Sequence, residues 1–147
     1  MALADLARSH VKECLRESLE LSTVFVDSDG DVPIAHGTAI YWVAVRSDGK
    51  YVKAWSRPVV GVKQTAALMR EVNEVNMGLE HSRLFFAKGM LMLEGVLPVD
   101  GLTPEYLHDL CVEVGATADD VGQMISAVYG GEVARPDGDG SCEQCGG

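Results

Sequence analysis

Hydrophobic and polar positions change period several times along this chain, and each change marks an element. Leu3, Leu6, Ala7, Val11, Cys14, Leu15 and Leu19 recur every three or four residues, with Arg8, Lys12, Glu13, Arg16 and Glu17 between them. That spacing predicts an amphipathic helix over residues 2–20. The stretch LSTVFVD (21–27) has strand character, and Gly30 and Pro33 break it. Two further β segments follow at 38–45 and 50–60. They are joined through Arg46-Ser47-Asp48-Gly49, in which Asp-Gly is a strong hairpin signal. In the second segment Lys50, Val52, Ala54 and Ser56 share one face, and Tyr51, Lys53, Trp55 and Arg57 share the other. Two long cations beside two aromatics predict that this other face is at least partly wet. Pro58 cannot donate to a ladder, so the strand is expected to end there or to lie at an edge.

A helical period returns over 62–77, carried by Leu68, Met69, Val72, Val75 and Leu79, with Gly78 expected as a left-handed cap. A second hairpin is predicted from SRLFFAK (82–88) and MLMLEGVL (90–97), turning at Lys88-Gly89. The last helix has the clearest signals. Thr103 is the expected N-cap, Pro104 takes the first helical position, and Glu105 and Asp109 favour the positive end of the dipole. Leu107, Leu110, Cys111, Val114, Ala118, Val121, Ile125 and Val128 then form one stripe, closed by Gly130-Gly131. Gly115 and Gly122 lie inside this helix, where each costs about 1 kcal/mol relative to alanine. Their separation of two turns puts them on nearly one side, so a close neighbour is expected there.

Length and composition leave one soluble globular domain, expected over 1–134, followed by a Gly-rich tail over 135–147. The longest apolar run, Thr38 to Val45, is far short of the roughly 20 residues that span a bilayer, and the N-terminal stretch has no apolar core of a signal peptide. No membrane association and a cytoplasmic location are therefore expected. The net charge of −10 is unevenly placed. Residues 89–147 hold Arg135 as their one base, while 46–70 hold six bases against Asp48 alone. A charge dipole follows if those stretches lie on different faces. An acidic chain repels phosphate backbones, which argues against nucleic acid, whereas a dipole suits the steering of a protein partner.

The order helix, strand, two-stranded hairpin, helix, two-stranded hairpin, helix resembles class I type III secretion chaperones and the related YbjN-like proteins. The resemblance covers about residues 3–128. Its most family-like stretch is ALMREVNEVNMGLEHSRLFFAKGMLMLEGVLPVDGLTPEYLHDLCVEVG, where a helix ending in VNEVN (72–76) runs into a hairpin that closes with LPVDGLTPEYL. The resemblance implies an α+β domain of the type III secretion chaperone-like fold, α-β-β-β-α-β-β-α, with three helices on a roughly five-stranded antiparallel sheet. It also implies a homodimer that binds proteins, has no catalytic centre and needs no cofactor. YbjN-like proteins are described as regulators of sensory transduction, and secretion chaperones hold an unfolded effector segment. The dimer is expected on the second helix and the 82–97 hairpin, whose apolar content one small domain need not cover alone.

Several constellations were weighed for chemistry. Asp27-Ser28-Asp29-Gly30-Asp31 suggests a calcium loop, but positions six and twelve of such a loop would be Val32 and Thr38, and both fail. Cys142-Glu143-Gln144-Cys145 offers two of the four ligands a structural zinc needs, so a thiol or metal protein using Cys142 and Cys145 is the rival reading. The histidines share no spacing, and no nucleophile or phosphate-loop motif is present. Protein binding is assigned instead to Lys53, Trp55, Arg57, Asn73, Asn76, Met90 and Met92. For Asn73 and Asn76, bonding of backbone groups at the helix end is the simpler role. Met90, Met92 and Glu94 should share one face of their strand, and core filling is the simpler role for the methionines. The Cys142/Cys145 tail is expected to be dispensable for binding, because ordering Gly-rich backbone costs roughly 1–2 kcal/mol per residue.

Overall fold

The computed structural model describes residues 3–134. Its elements run α1 (Leu3–Ser18), β1 (Val32–His36), β2 (Ala39–Val45), β3 (Tyr51–Val60), α2 (Ala66–Met77), β4 (Ser82–Ala87), β5 (Met90–Pro98), α3 (Pro104–Tyr129) and β6 (Glu132–Val133). The strands form one antiparallel sheet in the order β1-β2-β3-β5-β4, with β6 added to β3. This is the expected α-β-β-β-α-β-β-α order with a short sixth strand appended.

Period-2 alternation sends one set of side chains from each strand to a single core. Val43, Val52, Ala54, Leu84, Leu91 and Leu93 lie buried there against Leu107, Leu110, Val114 and Ala118 of α3. The α3 stripe is buried as predicted as far as Ile125, while Val128 is 67% exposed and the next residue, Tyr129, packs on the core in its place. Thr103 caps α3 by accepting the N–H of Tyr106, with Pro104 in the first turn. Val11, Cys14 and Leu15 bring α1 into the same core, and Leu68 and Val72 bring α2.

Four local expectations need correction. Residues 21–27 form no strand; the first strand is Val32–His36, with Pro33 inside it. Asp27 instead closes a turn, its Oδ1 accepting the N–H groups of Asp29 and Asp31. Pro33 is tolerated because β1 is an edge strand, hydrogen-bonded to β2 alone. The strand of 50–60 does not stop at Pro58 and is not an edge. It runs to Val60 in the middle of the sheet, and the register against β5 slips by one between Ser56 and Val59, so that Arg57 and Pro58 together face Met92. A bulge of this kind removes the need for the missing proline N–H. The second helix begins at Ala66, capped by the Thr65 hydroxyl oxygen, not at 62. Finally, Gly78 ends that helix with φ −97°, in the right-handed region.

The close approach expected at the α3 glycines is present. A Cβ on Gly115 would lie 2.8 Å from His36 Nδ1 of β1, and one on Gly122 would lie 3.2 Å from the Pro58 carbonyl oxygen. The bulge and the helix are thus fitted to each other. Gly115→Leu and Gly122→Leu should each lower stability by about 1–3 kcal/mol despite leucine's better helix propensity. Urea unfolding measures this; variants as stable as the parent would show that the helix face can open without cost.

Two carboxylates of α3 tie the helix to loops. Glu113 accepts from the N–H groups of Glu80 and His81 and from the Ser82 hydroxyl, and Asp119 accepts from the N–H and hydroxyl of Thr38. Partial burial of Glu113 opposes ionisation, but these donors outweigh it and hold the carboxyl below its ordinary value. A lowered folded-state value means stability that is present above the unfolded carboxylate pKa, near 4.3, and lost as pH falls through the folded one. The gap in melting temperature between wild type and Glu113→Gln should therefore narrow as pH is taken from about 6 to about 3. A gap that stays constant over that range would detach Glu113 from the acid transition.

Candidate functional site

The sheet has a second face, and among the described residues no helix covers it. Register places Pro33, Trp42, Trp55, Glu94 and Arg83 in one row across β1, β2, β3, β5 and β4. Beside that row Phe85 stands opposite Met92, and Ala87 and Val60 flank Met90. Ile40, Trp42, Trp55, Phe85, Met90 and Met92 are half-buried, and none of them belongs to the core or packs on it.

Tight local geometry holds this face together. Trp42 and Trp55 stack with ring centroids 4.7 Å apart and planes 21° from parallel. An offset stack of this kind is worth about 0.5–1.5 kcal/mol beyond its buried area. The Arg57 guanidinium carbon lies 5.8 Å from both ring centroids, within reach of a cation–π attraction. Glu94 takes Lys53 on one side, at 3.2 Å, and Arg83 on the other. Burial raises the Glu94 carboxyl, but bonds to Arg83 and Lys53 overcome this and hold it below its ordinary value. Arg83 also lies 5.0 Å from the Phe85 ring centre. Arg57 is exposed and has no ion pair among the described residues.

Five of the seven expected binding residues therefore meet on one surface: Lys53, Trp55, Arg57, Met90 and Met92. The methionines lie on this outer face, not in the core, and share it with Glu94 as their spacing predicted. The asparagines sit elsewhere. Asn76 bonds both the N–H and the carbonyl of Leu84, so it clamps the free edge of β4, a backbone role but not the helix-end one expected for it. Asn73 does not do this; it is exposed and approaches only the Met77 sulfur, at 4.0 Å. Trp42, Ile40, Phe85 and Arg83 belong to the surface but were not singled out from the sequence. Trp42 could have been, because it and Trp55 are equidistant from the Asp48-Gly49 turn.

The charge dipole has a structural basis. Lys53, Arg57 and Arg83 lie on the open face, while Glu105, Asp109 and Asp120 are exposed along α3 on the other side of the sheet. Cys14 and Cys111 are free and buried, and burial pushes the Cys111 thiol up to about 12 against the opposing effect of the Tyr41 hydroxyl beside it. Such a thiol is unreactive. Cys142 and Cys145 lie outside the described residues, as does the whole Gly-rich stretch from 135. Among the described residues no cluster of His, Cys, Asp or Glu could hold a metal ion, and no helix is long and apolar enough to cross a membrane. A shallow groove also runs between α1 and the β2–β3 turn, lined by Leu3, Leu6, Tyr51 and Pro98, but it holds none of the paired cations and aromatics just described.

Comparison with known proteins places the chain in a family. Residues 5–137 match the family model for TY-Chap1, the type III secretion (YopN, CesT) and YbjN peptide-binding chaperone 1 family. The chain belongs to that family of protein-binding modules. Among solved structures it is similar to the Yersinia pestis type III secretion chaperone SycH in complex with a stable fragment of YscM2. That likeness has 15% identity and TM-score 0.57, covering 76% of this chain and 96% of SycH. It is similar also to a chain of the ExoT–SpcS complex from Pseudomonas aeruginosa, with 18% identity and TM-score 0.58, covering 77% of this chain and 94% of the other. YbjN from E. coli matches at 13% identity and TM-score 0.53, over 78% of this chain and 89% of YbjN. At these identities the likeness establishes the fold. A search of curated proteins gives no significant match.

Proposed function

We propose that this protein holds a segment of a protein partner on the open face of its sheet, without catalysing a reaction. The observation that carries this reading is the half-buried strip of Trp42, Trp55, Met92 and Phe85, which lies outside the core and does not pack against it. Lys53 and Arg57 flank the strip, so affinity comes from apolar contact and orientation from charge. Rigid aromatics of this kind lose little entropy on binding, and methionine adapts to varied side chains. Family membership supports a peptide or extended segment as the bound form. The two tryptophans of the chain both lie in the strip, so selectively excited tryptophan fluorescence reports on this face alone. Binding of a peptide selected from a display library should shift tryptophan emission in proportion to occupancy.

A homodimer through α2 and the 82–97 hairpin is the second reading. Leu84, Leu91 and Leu93 of that hairpin are already covered by the chain's own core, so the original motive is reduced. Met77 at the end of α2 is 75% exposed beside the β4 edge, and it supports the contact. Light scattering at tens of micromolar should give twice the monomer mass; a monomer mass would remove this reading and leave the first intact.

A further inference from the structure

Arg57 is the residue on the open face whose surroundings leave something unanswered. Its guanidinium stands over both members of the tryptophan stack, on a bulge that places it opposite Met92. Continuing the β2–β3 register brings Ile40 to its other side, and the Ser56 hydroxyl donates to the Ile40 carbonyl at 2.7 Å. Arg57 is exposed, so its guanidinium is open to a ligand, while the two rings and the apolar side chains beside it frame where the planar fork lies. Such a fork can take a carboxylate through two parallel N–H bonds.

The same face shows what such a contact looks like when filled. One strand away, Glu94 accepts from Arg83 and Lys53 together. Arg57 has the cation and the apolar frame but no carboxylate among the described residues. Charge at that end of the sheet points the same way. The Val62 N–H is bonded to the Gly89 carbonyl, so the loop carrying Lys63 meets the turn carrying Lys88. Glu132, paired with Val60, is the acid that register brings there, against Arg57, Lys63 and Lys88. The chain as a whole carries −10. Asp119 of α3 also reaches this end, where Thr38 and Gln123 already donate to it. With charges screened over about 8 Å at physiological salt, an acidic ligand here senses the local cations more than Glu105 and Asp109 at the start of α3.

Resting on the peptide-binding reading above, we propose that the open face selects segments of a protein partner that carry a carboxylate among apolar side chains, and that Arg57 reads that carboxylate. The apolar neighbours of the acid settle on Trp42, Trp55, Met92 and Phe85. Lys53 and Arg83, already joined through Glu94, fix the opposite end of the surface and do not compete for it.

The test pans a random twelve-residue phage-displayed library against the full chain and against Arg57→Gln, with melting curves confirming that both are folded. Wild type should enrich peptides with Asp or Glu beside aromatic or aliphatic residues. Arg57→Gln should still enrich apolar peptides but lose the acid. For one selected peptide, Glu→Gln in the peptide and Arg57→Gln in the protein should each weaken binding about tenfold or more, and the two together little further. Arg57→Lys, which keeps the charge but not the fork, should recover part of the loss. A wild-type pool without acidic enrichment overturns the selectivity and leaves peptide binding standing. Acidic peptides whose affinity ignores Arg57 overturn it too. A wild-type pool no richer than bare support overturns peptide binding itself and the selectivity with it. If binding emerges only after truncation beyond Ala134, or if Trp55→Ser dissolves a dimer, the face belongs to this chain or to its copy, and the proposal fails.

Discussion

Replacing Trp42 and Trp55 together by serine is expected to reduce affinity for a selected peptide by about a hundredfold or more, with the secondary structure intact. Buried aromatic anchors commonly carry 2 kcal/mol or more each at an interface, and a factor of ten corresponds to about 1.4 kcal/mol. The two rings lie on the face away from the core and touch no core side chain, so their loss takes away the stack and some half-buried area. That should lower stability by about 1–3 kcal/mol, which a domain of this size can tolerate. Circular dichroism and a urea curve establish that the variant is folded, and anisotropy of the labelled peptide measures the loss. A folded variant that binds as tightly as wild type would remove the open face from the account. A single Trp42→Ser should already release Arg57 from half of its ring contact.

The second large effect is expected at Gly95, where substitution should prevent the fold from closing. Gly95 lies in β5 between Ala54 and Ser82, on the core side of the sheet. A Cβ there would come within 2.4 Å of Leu110 Cδ1 and 2.7 Å of the His81 carbonyl oxygen. The leucine methyl can move, but the carbonyl is backbone, held in place by the neighbouring N–H groups that Glu113 fixes. Gly95→Val should therefore cost more than the α3 glycine variants, about 3 kcal/mol or above, and leave little folded protein at 37 °C. Gly95→Ala should fall between them. If Gly95→Val unfolds at the wild-type urea concentration, the packing of α3 over β5 is looser than described.

These two sites also show what the sequence could and could not disclose. The α3 glycines stood out because glycine interrupts a strong helical stripe, and the helix has no local use for it. Gly95 sits in a strand, where a single glycine attracts no notice, and its role depends on a helix that crosses only after folding. Trp55 was legible from alternation along β3, and Trp42 was missed although its symmetry with Trp55 about Asp48-Gly49 could have found it. Phe85 and Arg83 join the surface through the β5–β4 pairing, which no spacing within one segment encodes. Pro33 and Pro58 misled for one reason. A proline removes one donor, and whether that matters depends on which edge of the strand is paired. At Pro33 the strand has one neighbour; at Pro58 a bulge turns the missing donor away from the ladder. Asn76 bonds backbone, but that of β4 and not of the helix end, because its amide has both a donor and an acceptor to offer a neighbouring strand; Asn73 shares the motif but not the position.

The most direct measurement of the central claim is a paired titration of one library-selected peptide into the full chain, following peptide anisotropy and tryptophan emission in the same sample. Both tryptophans lie in the strip, and no other tryptophan exists in the chain to confuse the signal. The account predicts that the two signals saturate together with one dissociation constant, and that the emission change disappears when the peptide is withheld by competition. Anisotropy that saturates while tryptophan emission stays constant would place the ligand elsewhere on the molecule and contradict the account.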